Sequence, residues 1–283
     1  MSGTAGAGAS GAAGASGTAG ASRAAAASGV RTWDEGPVRV IAIDRPDRRN
    51  ALAPATAEAL RAALAGAESD PAVGAAVLTG IDGHFSAGGD LASILEVTGD
   101  DAAALALMRV FHGLVEQIWD SGLPVIAALS GVVYGGAVNL ALACDLAVCS
   151  ADARFCQVFL RRGLVPDLGG AYLLPRLVGM RRAKELMLLA PEIDAAQALE
   201  LGLVNAVYDD AEDALAQAVA LGRRLADGPR VAISLTKRLM NASSGGSLRD
   251  ALALEAVSQT VALRGQDARE GLAALRPGAA RRA

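Results

Sequence analysis

Residues 124–145 read Pro-Val-Ile-Ala-Ala-Leu-Ser-Gly-Val-Val-Tyr-Gly-Gly-Ala-Val-Asn-Leu-Ala-Leu-Ala-Cys-Asp. The run 124–129 (PVIAAL) is short and apolar, of strand length, and the glycine after Ser130 closes it. A paired glycine, Gly135-Gly136, then opens an apolar stretch over 136–143 that fits a buried helix, and 146–149 (LAVC) reads as another strand. Strand, glycine turn, helix and strand in one continuous stretch make a unit of a parallel sheet, whose connections cross over through helices.

The same alternation continues outward. Residues 38–44 (VRVIAID) are β-branched and apolar and are stopped by Arg45-Pro46. Leu and Ala then recur at helical spacing over 50–64, with Asn50 or Pro54 marking the start. Residues 74–79 (GAAVLT) read as a buried strand closed by the turn at 80–83, and 102–119 as an amphipathic helix. From about residue 194 the pattern turns helical, over 194–203, 211–226, 229–240 and 247–264. The predicted fold is α/β, with a Gly/Ala/Ser tail at 1–29, a core at 30–225 and a C-terminal helical region at 226–283.

Composition narrows the class. Hydrophobic residues make up 52% of the 283, ample for a sizeable core. The net charge of −4 comes from 26 basic and 30 acidic residues with both signs interspersed, so neither a nucleic-acid stripe nor a basic membrane patch is expected. The tail has Arg23 as its one charge and lacks the Leu-like apolar core of a signal peptide; its small side chains do not offset the entropy of ordering it. No run of about 18 strongly apolar residues follows, so no membrane span is expected. Cys144, Cys149 and Cys156 lack CxxC or His spacing and read as buried small hydrophobes in a reducing compartment. These features point to a cytoplasmic protein with no metal site.

Two glycine segments hold the candidate chemistry: Phe85-Ser86-Ala87-Gly88-Gly89-Asp90-Leu91 and Gly131-Val132-Val133-Tyr134-Gly135-Gly136-Ala137. Glycines entering a helix leave N–H groups unsatisfied and let a ligand approach the backbone. Neither segment is a phosphate loop, since GxxxxGK[ST] and a well-formed GxGxxG with its acid are both missing. Tight turns needed only for packing are the competing reading.

With their flanks these segments resemble the enoyl-CoA hydratase/isomerase (crotonase) superfamily. Arg45-Pro46…Asn50-Ala51-Leu52 is similar to its early RP…NAL element, and FSAGGDL and GVVYGGAVNLALACD to its two oxyanion loops. The stretch from Ala153-Arg154-Phe155 to Pro175-Arg176-Leu177-Val178-Gly179, and Asp194-Ala195-Ala196 to Gly202-Leu203-Val204-Asn205, match its later motifs. The resemblance covers about residues 35 to 265 and implies a spiral of ββα units with a C-terminal helical oligomerisation region, a homotrimer or homohexamer. It also implies an acyl-CoA thioester as substrate, with coenzyme A part of the substrate and no separate cofactor.

Carried over residue by residue, the resemblance makes the N–H groups of Gly89 and Gly136 the donors to the thioester oxyanion. Ala87, Asp90 and Leu91 fall where the family holds coenzyme A. Ala92 stands where the family often has Lys, which leaves Arg48 and Lys237 as replacement cations or as solvated surface charges. The two glutamate positions of family hydratases are occupied by Asn139 and Phe159, neither of which titrates. Asp167 matches the functional aspartate of several superfamily isomerases and the nucleophile of a dehalogenase, whose histidine matches His112.

Competing readings accompany both residues. Asp167 could instead N-cap the helix beginning near Gly169 or Gly170, and His112 shares an apolar stripe with Met108, Val115 and Trp119 that would make it a core histidine. His84 reads as surface. The leading expectation is a double-bond isomerase with Asp167 as acid/base and with Phe159, Asn139 and Tyr134 shaping the acyl pocket. Alternatives are an enoyl-CoA hydratase or lyase, a hydrolytic enzyme using Asp167 with His112, and a non-catalytic acyl-CoA-binding scaffold.

Overall fold

The computed structural model describes residues 28–275. The tail assigned to 1–29 therefore lies outside the described residues except for Ser28 and Gly29, as does 276–283 of the C-terminal region. Nine strands form two sheets. The larger has the order β1 (Val30–Asp34), β2 (Val38–Ile43), β3 (Ala75–Gly80), β4 (Val125–Leu129), β6 (Leu146–Ser150) and β9 (Ala206–Tyr208). The smaller joins β5 (Val132–Tyr134), β7 (Arg154–Cys156) and β8 (Glu192–Asp194). Every neighbouring pair in the large sheet is parallel except β1 with β2, a hairpin that the sequence reading missed because Arg31, Thr32 and Asp34 leave little apolar pattern.

The large sheet is buried on both faces, and the period of two decides which side chain goes where. Val38, Val40, Ala75, Val77, Ile126, Ala128 and Val148 face helix α8 (Ala211–Ala226), whose Ala218 and Val219 pack on them. Gly222 of α8 lies so close that an added Cβ would sit 2.9 Å from Val38. Ile41, Ile43, Leu78, Ala127 and Leu129 face the other way, under α1 (Pro54–Ser69), α3 (Asp101–Asp120) and α4 (Gly136–Ala143). The short α2 (Leu91–Glu96) precedes α3. Helix α7 (Ala195–Glu200) packs on the small sheet, while α5 (Gly170–Val178) packs on α4 and on α6 (Met180–Leu188).

Pro54 starts α1, with its fixed φ at the first helical position. Asn50 is instead a loop staple. It is fully buried at φ 57°, donates from Nδ2 to the Ile81 and His84 carbonyls at 2.8 and 2.7 Å, and accepts the Arg45 N–H at 2.9 Å.

The C-terminal helices are α9 (Arg230–Ser243), α10 (Leu248–Arg264) and α11 (Gln266–Ala274). Neither α10 nor α11 has a buried residue, and Leu248 and Val257 are 76% and 65% exposed. By contrast α9 is tied to the core through Lys237, whose ammonium pairs with Asp145 at 2.8 Å and donates to the Leu123 carbonyl at 3.0 Å. Leu123 precedes β4, whereas the glycine loop follows its other end, so Lys237 is anchored at the opposite end of the strands. This corrects its reading as a coenzyme A cation. Burial raises the Asp145 carboxyl above its ordinary pKa despite Lys237, so losing the cation should be costly. Lys237→Ala is expected to reduce the unfolding free energy in urea by about 3 kcal/mol, and an unchanged midpoint would show the pair to be neutral.

Candidate active site

Backbone pairing brings the two glycine loops together. Ser86 and Val133 form a parallel bridge, in which the Ser86 N–H donates to the Val132 carbonyl and the Tyr134 N–H to the Ser86 carbonyl, both at 3.0 Å. Leu52 adds a third strand-like segment, donating to the Gly88 carbonyl at 2.7 Å and accepting from the Asp90 N–H at 2.9 Å. Those two bonds flank Gly89, so its own N–H turns to the opposite side of the segment. Gly88 has φ 88°, and an added Cβ would stand 2.5 Å from the Tyr134 carbonyl and 3.4 Å from the Gly136 nitrogen. Only glycine permits this approach.

Gly136 is the first residue of α4, so its N–H has no intrahelical acceptor. The carbonyl four residues back, that of Val132, already accepts from Ser86. The Ser86 hydroxyl, which the sequence reading left unassigned, accepts the Gly88 N–H at 3.1 Å and closes the first loop. Its signal was local, a serine bonding the backbone two residues on.

Asp167 completes the constellation. A Cβ built on Gly136 would lie 3.1 Å from Asp167 Oδ1, so the carboxyl sits against the start of α4. That Oδ1 is buried and without a hydrogen-bond partner among the described residues. Burial pushes the carboxyl up to about 6, near neutrality, where a group that both takes and gives protons works best. The N-cap reading does not hold: Gly169 caps α5 and no side chain accepts there. Asp167 faces a cavity of about 320 Å³ with Ile94, Val97, Leu107, Met108, Phe159 and Leu164 in its lining. Phe159 thus forms part of the cavity wall, and its ring also approaches Gly135.

The remaining candidates separate. Asn139 is fully buried and absent from that lining; its amide bonds the Asp167 carbonyl. Tyr134 turns its hydroxyl to Glu192 on β8, and burial with this partner pushes it up to about 12, so it too leaves the cavity wall. His112 is exposed on α3, outside both the core and the cavity lining, which corrects the apolar-stripe reading. His84 is half-buried rather than superficial, and its Nδ1 accepts the Val132 N–H at 3.3 Å.

Near the first loop, burial would raise Asp90. The Arg45 hydrogen bond, with the N–H groups of Ser93 and Ala92 where it caps α2, outweighs that and holds it below the usual range. Its ion pair with Arg45 is 2.9 Å long. Ala87 is half-buried, with its N–H on the Arg49 carbonyl at 2.9 Å. Leu91 is half-exposed, and the Arg48 side chain is exposed beside Asp47, outside the cavity lining. The cysteines are free, with Cys149 and Cys156 buried and Cys144 half-buried. Among the described residues no group of side chains could hold a metal, and no helix is long and apolar enough to cross a membrane.

A mostly parallel α/β core ending in a helical layer, with two paired glycine loops at one end of the sheet, has the architecture of crotonase-type acyl-CoA enzymes. The family model described as enoyl-CoA hydratase/isomerase matches residues 34–276, and the chain belongs to that family. It is 34% identical over 239 residues to the 1,2-epoxyphenylacetyl-CoA isomerase of Escherichia coli, covering 84% of this chain and 91% of that protein. It is also 34% identical to the short-chain-enoyl-CoA hydratase of Clostridium acetobutylicum, over 78% and 84% of the two chains. The crystal structure of an enoyl-CoA hydratase from Polaromonas sp. JS666 superposes with a TM-score of 0.82 at 32% identity, covering 87% of this chain and 95% of that one. Hydratase is the commoner name among the relatives.

The raised Asp167 carboxyl has a thermodynamic signature. Ionisation is harder in the folded protein (about 6) than in the unfolded chain (3.8). Its favourable contribution is therefore full below about pH 4 and is lost as pH rises through 6. Asp167→Asn lacks this dependence, so urea unfolding should show the difference between the proteins moving in the variant's favour between pH 4 and pH 8. A constant difference would mean that the carboxyl is not desolvated.

Proposed function

We propose that the protein shifts a double bond in an acyl-CoA thioester, with Asp167 carrying the proton and the N–H groups of Gly89 and Gly136 holding the oxyanion. Asp167 in its ionised form takes a proton from the acyl chain, and the electron pair moves onto the thioester oxygen as a dienolate. The same carboxyl then returns the proton at the other end of the conjugated system. One well-aimed backbone donor is worth about 3–4 kcal/mol in such a transition state. The observation that carries this reading is Asp167 itself: a half-buried carboxyl, one oxygen of which is buried and unpartnered, raised to about 6, against the helix opened by Gly136. The apolar cavity beside it suits a hydrocarbon or aryl acyl group.

Hydration is the second reading, favoured by the names of most relatives. Against it stand Asn139 and Phe159 at the positions of the hydratase glutamates, which leave a single acid at the site. The hydrolytic alternative needs His112 beside Asp167, and the exposure of His112 gives that no support.

The chain also fits a homotrimer or homohexamer built through its C-terminal helices. Leu252, Leu254, Val257 and Val261 of α10 are all exposed in the single chain, apolar surface that an assembly would cover. Light scattering is expected to give three or six copies at micromolar concentration, and a stable monomer would exclude this arrangement.

The chemistry is tested with a panel of enoyl-, dienoyl- and aryl-CoA thioesters, resolved by chromatography and weighed by mass spectrometry in deuterated buffer. Isomerisation leaves the skeleton unhydrated and introduces deuterium at the α or γ carbon, whereas hydration adds water. Asp167→Asn should lower kcat by about 10²–10⁴-fold with the melting temperature little changed. In the wild type kcat/KM should fall as pH drops below about 6, when Asp167 is protonated and has lost its basicity. Full turnover in Asp167→Asn would remove the residue from the mechanism.

A further inference from the structure

Asn139 and Gln157 are buried, belong to different elements and touch no part of the apolar cavity. They meet behind Asp167: Gln157 Nε2 donates to Asn139 Oδ1 at 2.7 Å, and Asn139 Nδ2 donates to the Asp167 carbonyl at 2.8 Å. The direction of this chain is forced from its far end. A peptide carbonyl only accepts, so the atom facing it must be the Asn139 NH₂. The Asn139 oxygen must then face Gln157, whose own NH₂ must answer it. The remaining Gln157 oxygen is left buried without a partner. A buried acceptor left unpaired costs about 1–3 kcal/mol, so the chain holds its order against a penalty elsewhere.

From this geometry we infer that Asn139, oriented by Gln157, is a positioning residue that fixes the Asp167 peptide and so sets its carboxyl against Gly136. The inference rests on the role proposed above for Asp167. Three further features support it. Asn139 stands one turn after Gly136 on α4, so the helix that presents the backbone donor also presents the amide that restrains the acid. The Asp167 carbonyl takes a second bond from the Gly170 N–H at 2.9 Å, and Leu168 between them is left-handed at φ 46°, a conformation that a leucine keeps only when held. The fit is close as well: a Cβ on Gly170 would lie 2.3 Å from Asn139 Nδ2.

The experiment reads Asp167 directly and needs no substrate. Protein labelled with ¹³C at aspartate carboxyls is titrated by NMR, and the Asp167 signal is assigned by its loss in Asp167→Asn. The surrounding elements carry Glu96 on α2, Asp100 and Asp101 at the start of α3 across the cavity, Arg109, His112 and Glu116 further along α3, and the exposed Arg161 and Arg162. Burial is what raises Asp167, and none of these charges contributes. Asn139→Ala frees the turn and opens space behind it, so water reaches the carboxyl and its midpoint should fall by about one pH unit or more from the wild-type value. Gln157→Ala leaves Asn139 in place without its partner and should shift the midpoint the same way by less. It also carries the test should Asn139→Ala fold poorly, which melting curves will show.

With a turned-over thioester, Asn139→Ala should lower kcat with KM nearly constant, and adding it to Asp167→Asn should cause little further loss. A wild-type midpoint in both variants would overturn the positioning role while leaving Asp167 as the acid/base. Unimpaired turnover in Asp167→Asn would overturn both.

Discussion

The geometry of the candidate site depends on one close approach of backbone to backbone. Gly88 passes so near the Tyr134 carbonyl and the Gly136 nitrogen that any side chain there would displace one loop from the other. Pairing with Leu52 on one side and with the Ser86–Val133 bridge on the other fixes that approach from both directions. The same restriction recurs at Gly80, where a Cβ would meet the His84 carbonyl at 2.1 Å. Backbone donors are well suited to such a site. A sheet-like ladder positions them with almost no rotational freedom, and they need no reorganisation as charge develops.

Around that contact the molecule divides its labour. The doubly covered sheet supplies rigidity, since alternate residues of β2, β3, β4 and β6 commit to opposite cores and cannot slip register without exposing both. The crossover connections deliver the loops to one end of the sheet. The α5 side contributes the carboxyl from a short irregular turn, the kind of segment that needs outside restraint to keep one conformation. Asp90, capping α2 and paired with Arg45, ties the first loop to the segment that follows β2.

Much of this was legible in the sequence because its signals are local. The strands β2, β3, β4 and β6 announce themselves as apolar runs, and α8 to α10 as helical repeats that the structure reproduces within a few residues. Gly88, Gly89, Gly135 and Gly136 were found because a paired glycine at a strand-to-helix junction has a backbone meaning. What was not legible depends on partners distant in the chain. Lys237 reads as a surface cation until Asp145 and Leu123 are beside it. His112 shares its stripe with Met108, Val115 and Trp119, which pack half-buried against the core, yet its own position on the helix turns it outward. The resemblance alone put Asn139 in the acyl pocket, whereas its amide turns to the Asp167 carbonyl, a partner 28 residues away that no local pattern announces.

The cavity beside Asp167 has a consequence for ligand recognition. If an acyl tail fills it, as proposed, water is expelled from around a carboxyl already hard to ionise, which would push the proton equilibrium further toward the neutral form. Association then takes up a fraction of a proton near neutrality, and by linkage the complex with an inert, saturated acyl-CoA tightens as the solution is acidified. A base must be ionised to work. On the role proposed for Asp167, occupancy and reactivity would therefore respond to acidity in opposite senses.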